Sequence, residues 1–162
     1  MSTGRDHCFV LWADRFDETA AVLFVAELRR VGLRVRLVGL PGPSFVGIHG
    51  LALTPDLTLD EALAQVDQLI CLVAPCDEPA LGRVANDPRL LELFDLAAAQ
   101  EAAVVVGSEA GVALSGGRGV VYSQGQGIYR QVRRLARQLR PRRRSEQAAS
   151  LRSDWRGIGS IA

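Results

Sequence analysis

Ser108 is the residue whose setting in this sequence most suits chemistry. It stands in "EAAVVVGSEAGVALSGG" (101–117), where four apolar residues, Ala103 to Val106, run into Gly107, Ser108 and Glu109. A second apolar pattern, Val112 to Leu114, follows at once. That order reads as a buried strand, a tight turn and a helix, the setting in which many enzymes present a nucleophile. A serine hydroxyl attacks only when a base takes its proton. The sequence offers two histidines, His7 and His49. His7 begins a strand-like run and stands roughly 16 Å from the turn, at about 3.3 Å per residue. His49 could approach only if the segment after the second strand folds over the site. Glu109 adjoins Ser108, but neighbouring side chains on a helix diverge. The preferred expectation is that Ser108 caps the helix beginning at Glu109.

A second group is Asp17–Glu18, ahead of an apolar helical pattern. It reads either as a general acid or carbonyl-binding carboxylate, or as acids enriched at the positive end of a helix dipole; the second reading is preferred. Trp12, at the end of the first strand-like run, suits a pocket wall or the core. Cys8, Cys71 and Cys76 are an odd number of cysteines; Cys8 and Cys71 lie in apolar runs and read as small buried hydrophobes. Cys71 and Cys76 lack a further Cys or a His nearby, so no metal is expected, and no cofactor either. "GQGIYR" (125–130) is a weak match to a phosphate-binding helix start, and a plain strand-to-helix turn is the preferred reading.

The elements that must position these groups are legible from periodicity. "HCFVLWA" (7–13), "LRVRLVGL" (33–40), "DQLICLVAP" (67–75), the run ending at Val106 and "RGVVYS" (118–123) read as strands. "DRFDETAAVLFVAELRRVG" reads as a helix capped by Asp17 and ended by Gly32. "LTLDEALAQV" suits a short helix capped by Thr58, "PRLLELFDLAAAQE" (88–101) a helix after Asp87, and "GIYRQVRRLARQLR" (127–140) an amphipathic helix. "FVGIHGLALTPD" (45–56) reads as irregular β or a hairpin arm, and "CDEPALGRVAND" as loop or short helix. Alternating strands and helices predict α/β architecture, a flavodoxin-like sandwich with a mostly parallel sheet and helices on both faces. Ligands gather outside the carboxyl ends of such strands. The turns after residues 13, 75, 107 and 123 should therefore converge, with Trp12, Asp17, Glu18, Pro75, Cys76, Gly107, Ser108 and Glu109 lining one pocket.

At 162 residues, 48% hydrophobic and 6% aromatic, the chain fits one aliphatic domain, residues 1–140. No apolar stretch is long enough for a membrane span, and reduced thiols without a secretory signal predict a cytoplasmic location. The net charge of +1 hides a split. Residues 1–128 hold nine arginines against 16 acids, and residues 129–162 hold ten against two. Arg130, Arg133, Arg134, Arg137 and Arg140 ride the last helix; Arg142, Arg143 and Arg144 begin an arginine-rich segment, 141–162, expected to be a flexible tail. These arginines are expected to meet an acidic protein partner. Nucleic acid is disfavoured, because the acidic body repels phosphate and no stacking platform is visible.

"FDETAAVLFVAELRRVGLRVRLVGLPG" resembles the first helix and second strand of the ThiJ/PfpI superfamily. "ALTPDLTLDEA", "VDQLICLVAP", "VVVGSEAGVALS" and "RGVVYSQGQGIYRQVRRLARQL" are similar to the segments that follow in that family. The resemblance covers about residues 7–140 and implies a class I glutamine-amidotransferase-like fold and a homodimer, with the first helix and the 45–55 segment as its surface. It also implies a cysteine nucleophile at the turn, where this chain has Ser108, or Gly107 in a reading shifted by one. The family's glutamate aligns with Ala20, its oxyanion-binding Pro-Gly-Gly with "VAPCD", and its histidine-bearing insertion with the short "SGGRGV". The chain thus resembles a shortened, catalytically degenerate member. The expected function is non-catalytic binding or regulation through protein–protein contacts as a homodimer. The alternative is a small-aldehyde hydratase, deglycase or amide hydrolase that uses Ser108, with Glu18 as a weaker catalytic candidate.

Overall fold

The computed structural model describes residues 4–141. The arginines Arg142, Arg143 and Arg144 and the remaining tail lie outside the described residues. Six strands form one sheet: β1 (His7–Trp12), β2 (Arg34–Gly39), β3 (Leu57–Thr58), β4 (Leu69–Ala74), β5 (Ala103–Val106) and β6 (Val120–Val121). Their order is β3-β2-β1-β4-β5-β6, and every pairing is parallel. Parallel strands covered on both faces need apolar residues on both sides. The central strand β1 is buried at every position, and the runs that predicted β1 and β4 were unbroken for that reason.

Helices α1 (Glu18–Arg30), α2 (Leu59–Leu63), α3 (Glu78–Val84), α4 (Pro88–Ala99), α5 (Glu109–Leu114) and α6 (Gly127–Leu139) connect the strands. The α1 crossover moves from β1 to β2, and the later crossovers move the other way across the sheet. Right-handed connections therefore place α1 on one face and α2, α4 and α5 on the other; α6 packs beside α1. Local chemistry fixes the helix starts. Asp17 accepts from the Ala20 amide at 3.1 Å, Thr58 and Glu61 form a reciprocal capping box, and Asp87 accepts from the Arg89 amide. Gly32 ends α1 at a φ of +91°, a region costly for residues with a side chain.

The sheet is wholly parallel in its named strands, and the 45–56 segment, expected as irregular β or a hairpin arm, carries an isolated antiparallel bridge between Val46 and Ala52. Two elements differ from the sequence expectation. Leu57–Thr58 pairs with the outer edge of β2, where Asp56 also accepts from the Leu37 amide at 2.8 Å; two residues are too few for a periodic signal. The last strand holds only Val120–Val121, although the Tyr122 amide still donates to the Val106 carbonyl at 3.0 Å. Among the described residues no helix is long and apolar enough to cross a membrane.

Candidate functional site

The turns predicted to converge are joined by hydrogen bonds. The Asp17 amide donates to the Pro75 carbonyl at 2.8 Å, the Gly107 amide to Ala74 at 3.1 Å, and the Tyr122 amide to Val106 at 3.0 Å. They meet beside β1 and β4, where the order of connections reverses and doubly wound sheets open their ligand crevice. Here the crevice is filled by the chain itself. The Tyr122 hydroxyl donates to Asp17 Oδ2 at 3.1 Å, and its ring packs edge-on against Phe24 at 5.8 Å. Burial, then the Asp17 carboxylate, hold the phenol well above its ordinary pKa, so it stays a neutral donor.

Gly107 lies beneath that hydroxyl. A side chain there would bring its Cβ to 2.9 Å from the Tyr122 oxygen and 3.0 Å from the Cys76 carbonyl carbon, closer than atoms pack. The shifted reading of the turn, with position 107 as the reactive one, therefore has no room for a nucleophile. Ser108 adopts extended backbone, φ −154° and ψ 162°, without the strain of a nucleophile turn. Its hydroxyl makes no capping hydrogen bond, contrary to the expectation. Oγ is shut off from solvent and has no hydrogen-bond partner among the described residues. Glu109 points outward and is exposed. The serine that does bond at this helix is Ser115: its Oγ donates to the Val112 carbonyl at 2.7 Å and accepts from the Gly119 amide at 2.8 Å.

The acidic pair divides its work. Asp17 caps α1 and receives Tyr122. Glu18, only 4% exposed, reaches the 47–51 loop through Oε1, and its Oε2 has no hydrogen-bond partner among the described residues. Its Oε1 accepts from the His49 amide at 2.5 Å and the Leu51 amide at 3.4 Å. Gly47 presses on the carboxylate so closely that an added Cβ would lie 2.6 Å from its Cδ. Burial raises the Glu18 pKa, but the amides of Glu18 itself, His49 and Leu51 outweigh it, so the carboxyl titrates below its usual value. The segment carrying His49 does fold back, but over the start of α1. The imidazole stands 3.4 Å from Glu18 Oε2. His7 is buried at the opposite end of β1.

Trp12 is fully buried and donates from Nε1 to the Phe45 carbonyl at 3.0 Å, so it belongs to the core beneath the loop. Pro75 is likewise buried. The Cys76 thiol is 2% exposed, and burial followed by the Asp77 charge pushes it up to about 12, far from a thiolate. Cys8 and Cys71 are register partners on adjacent strands, both wholly buried. Among the described residues no group of three or more His, Cys, Asp or Glu side chains is placed to hold a metal ion.

Among the arginines expected to meet a partner, four line two surface clefts, and Arg130 is exposed and lines neither. Arg133, Arg137 and Arg140 face a cleft of about 530 Å³ between the C-terminal ends of α1 and α6. Arg134 faces a groove of about 400 Å³ along the edge of β5. Tyr122 and Gly47 were not singled out from the sequence. The first could have been, since it follows the carboxyl end of a strand, where site residues gather. The second contacts a residue 29 positions earlier in the chain, and no local pattern carries that.

A wholly parallel sheet with its crevice at the β1/β4 reversal defines a doubly wound α/β protein. Solved structures narrow the fold. The chain is similar to DJ-1beta of Drosophila melanogaster, at 14% identity over 90% of this chain and 96% of that one, with a TM-score of 0.73. It is similar to a DJ-1 superfamily protein of Salmonella typhimurium, solved as a cysteine-to-alanine mutant, at 19% identity over 83% and 88%, TM-score 0.63. A ThiJ/PfpI domain protein of Brachyspira murdochii aligns at 14% identity over 80% and 77%, TM-score 0.59. The chain has the DJ-1/ThiJ/PfpI fold. No family model and no curated protein matches it.

Proposed function

We propose that this chain is a non-catalytic protein of the DJ-1/ThiJ/PfpI fold that acts by binding, as a homodimer. The observation that carries this reading is the closed turn: Gly107 is walled in by the Cys76 backbone and the Tyr122 hydroxyl, and Ser108 Oγ has no base within bonding reach. Chemistry at a serine needs a proton acceptor and donors for developing charge. The two nearby carboxylates are otherwise engaged, one by Tyr122 and one by the 47–51 loop. The dimer reading is supported by exposed apolar side chains on that loop and on α1. Val22 lies one turn beyond Glu18, and Phe45, Ile48 and Leu51 crown the segment that Glu18 holds. A second copy of the same surface would cover them, as expected of an isologous contact.

The test for catalysis is turnover of methylglyoxal by the purified chain beside an active relative, together with Ser108→Ala. No turnover is expected; activity abolished by that substitution would establish the hydrolase or hydratase alternative instead. For assembly, sedimentation should show a dimer that Leu51→Arg converts to monomer. A wild-type chain that stays monomeric at high concentration sinks the homodimer.

A further inference from the structure

We propose that the cleft between the C-terminal ends of α1 and α6 is a docking site for an acidic peptide segment of a partner protein. The inference rests on the binding reading above, and it supplies the partner's chemistry at a surface on the far edge of the sheet from Ser108. The cleft encloses about 530 Å³, and four arginines line it: Arg30 from α1, Arg133 and Arg137 from α6, and Arg140 just past the end of α6. Arg133, Arg137 and Arg140 follow spacings of four and three, so they span about 10 Å along the helix direction at 1.5 Å per residue. One carboxylate, Glu27, shares the cleft; Arg30 approaches it at 3.5 Å and Arg133 at 3.9 Å. Arg137 and Arg140 have no ion pair among the described residues.

Helix C-termini favour cations, which accounts for Arg30 and Arg137. It does not account for Arg133, about one turn before Arg137, or for the convergence of both helices' arginines on one concave space. Guanidinium forks match carboxylates in pairs of parallel hydrogen bonds. Val31 and Ala136 give the cleft an apolar part that would receive aliphatic side chains between the acids. Nucleic acid fits less well, because base stacking needs a free ring and the exposed ring of α6, Tyr129, is covered by the Arg133 guanidinium at 5.4 Å. A second copy fits less well too. Among its exposed acids, Asp60 is already paired with Arg89 at 2.9 Å, and Asp60, Glu61, Glu92 and Asp95 belong to the short helix α2 and to α4 rather than to one extended acidic segment.

The test is fluorescence anisotropy of a short labelled Glu-rich peptide with interspersed leucines, titrated with the full chain. Saturable binding is expected, weakened at least about tenfold by the double change Arg137→Glu and Arg140→Glu. It should stay unchanged in Arg36→Glu, an exposed cation on β2 away from the cleft. If charge reversal unfolds the chain, Arg137→Ala with Arg140→Ala reads the same loss. Peptide that does not bind, or that binds the cleft variant as well as wild type, overturns the proposal. So does a single-stranded oligonucleotide that binds more tightly and is lost in that variant, or self-association that the variant abolishes without affecting the peptide. Methylglyoxal turnover by the same sample would instead defeat the non-catalytic reading, whatever the anisotropy shows.

Discussion

The two ends of the sheet are built oppositely. At the carboxyl end, where this fold ordinarily opens, polar groups face one another: Tyr122 on Asp17, Glu18 on the amides of the 47–51 loop, Gly107 against the Cys76 backbone. At the amino end, the arginines of α1 and α6 surround an open cleft with one carboxylate among them. Asp17, Tyr122 and Glu18 Oε1 are already hydrogen-bonded in that crevice, and a ligand must break those bonds to use them; Ser108 Oγ and Glu18 Oε2 are buried there without a partner among the described residues. A cleft of unmatched charge loses little on binding and gains its partner's charge. The contrast teaches that a fold's usual ligand position is a property of topology, whereas its use depends on whether the side chains there are spent on each other.

The sharpest way to break the contrast is to remove the floor of the carboxyl-end crevice. Trp12→Ala should cost about 3–5 kcal/mol, as expected for a large buried aromatic, and should also loosen the 45–52 loop through the lost bond to Phe45. Chemical denaturation with hydrogen exchange on the loop amides reads both. Gly107→Ala should cost about 2–3 kcal/mol through overpacking alone; an unchanged denaturation midpoint would mean the Cys76 backbone yields and the turn is not closed. Asp17→Ala should cost about 2 kcal/mol, part cap and part orphaned Tyr122 hydroxyl. Tyr122→Phe added to it should cost much less than the sum, which a double-mutant cycle measures.

Two pH effects follow, smaller in size. The folded Glu18 carboxyl titrates below its unfolded value of 4.5, so its contribution is complete above that value and is lost as pH falls through the lower folded value. Glu18→Gln should flatten the acid limb of the stability curve relative to wild type, and an identical limb in both proteins would remove the loop anchor from the account. Tyr122 has the reverse sign. Its folded phenol holds a proton that the unfolded chain releases above about pH 10, so stability falls with alkalinity, and Tyr122→Phe lessens the fall. At the other end, Arg137→Ala should change stability by no more than about 0.5 kcal/mol, because nothing described pairs with it. That cleft is open to a partner and contributes little to the fold.

The sequence by itself determined the layers of this protein. Unbroken apolar runs marked β1 and β4 because both faces of a parallel strand are covered, and Asp17, Thr58 and Asp87 marked helix starts because an extended residue with a side-chain oxygen answers the first free amides. It also exposed the arginine asymmetry of α6 and the missing cysteine at the turn. Which partner each polar group takes was decided by the tertiary structure. Asp17 meets Tyr122 across 105 positions of chain, and Glu18 meets His49 across 31. The Ser108 hydroxyl, in the right place to cap, is left unbonded inside the turn. Hydrophobic periodicity is a local record of burial and can be read along the chain. Hydrogen-bond pairing joins distant segments, and it exists only once packing has brought them together.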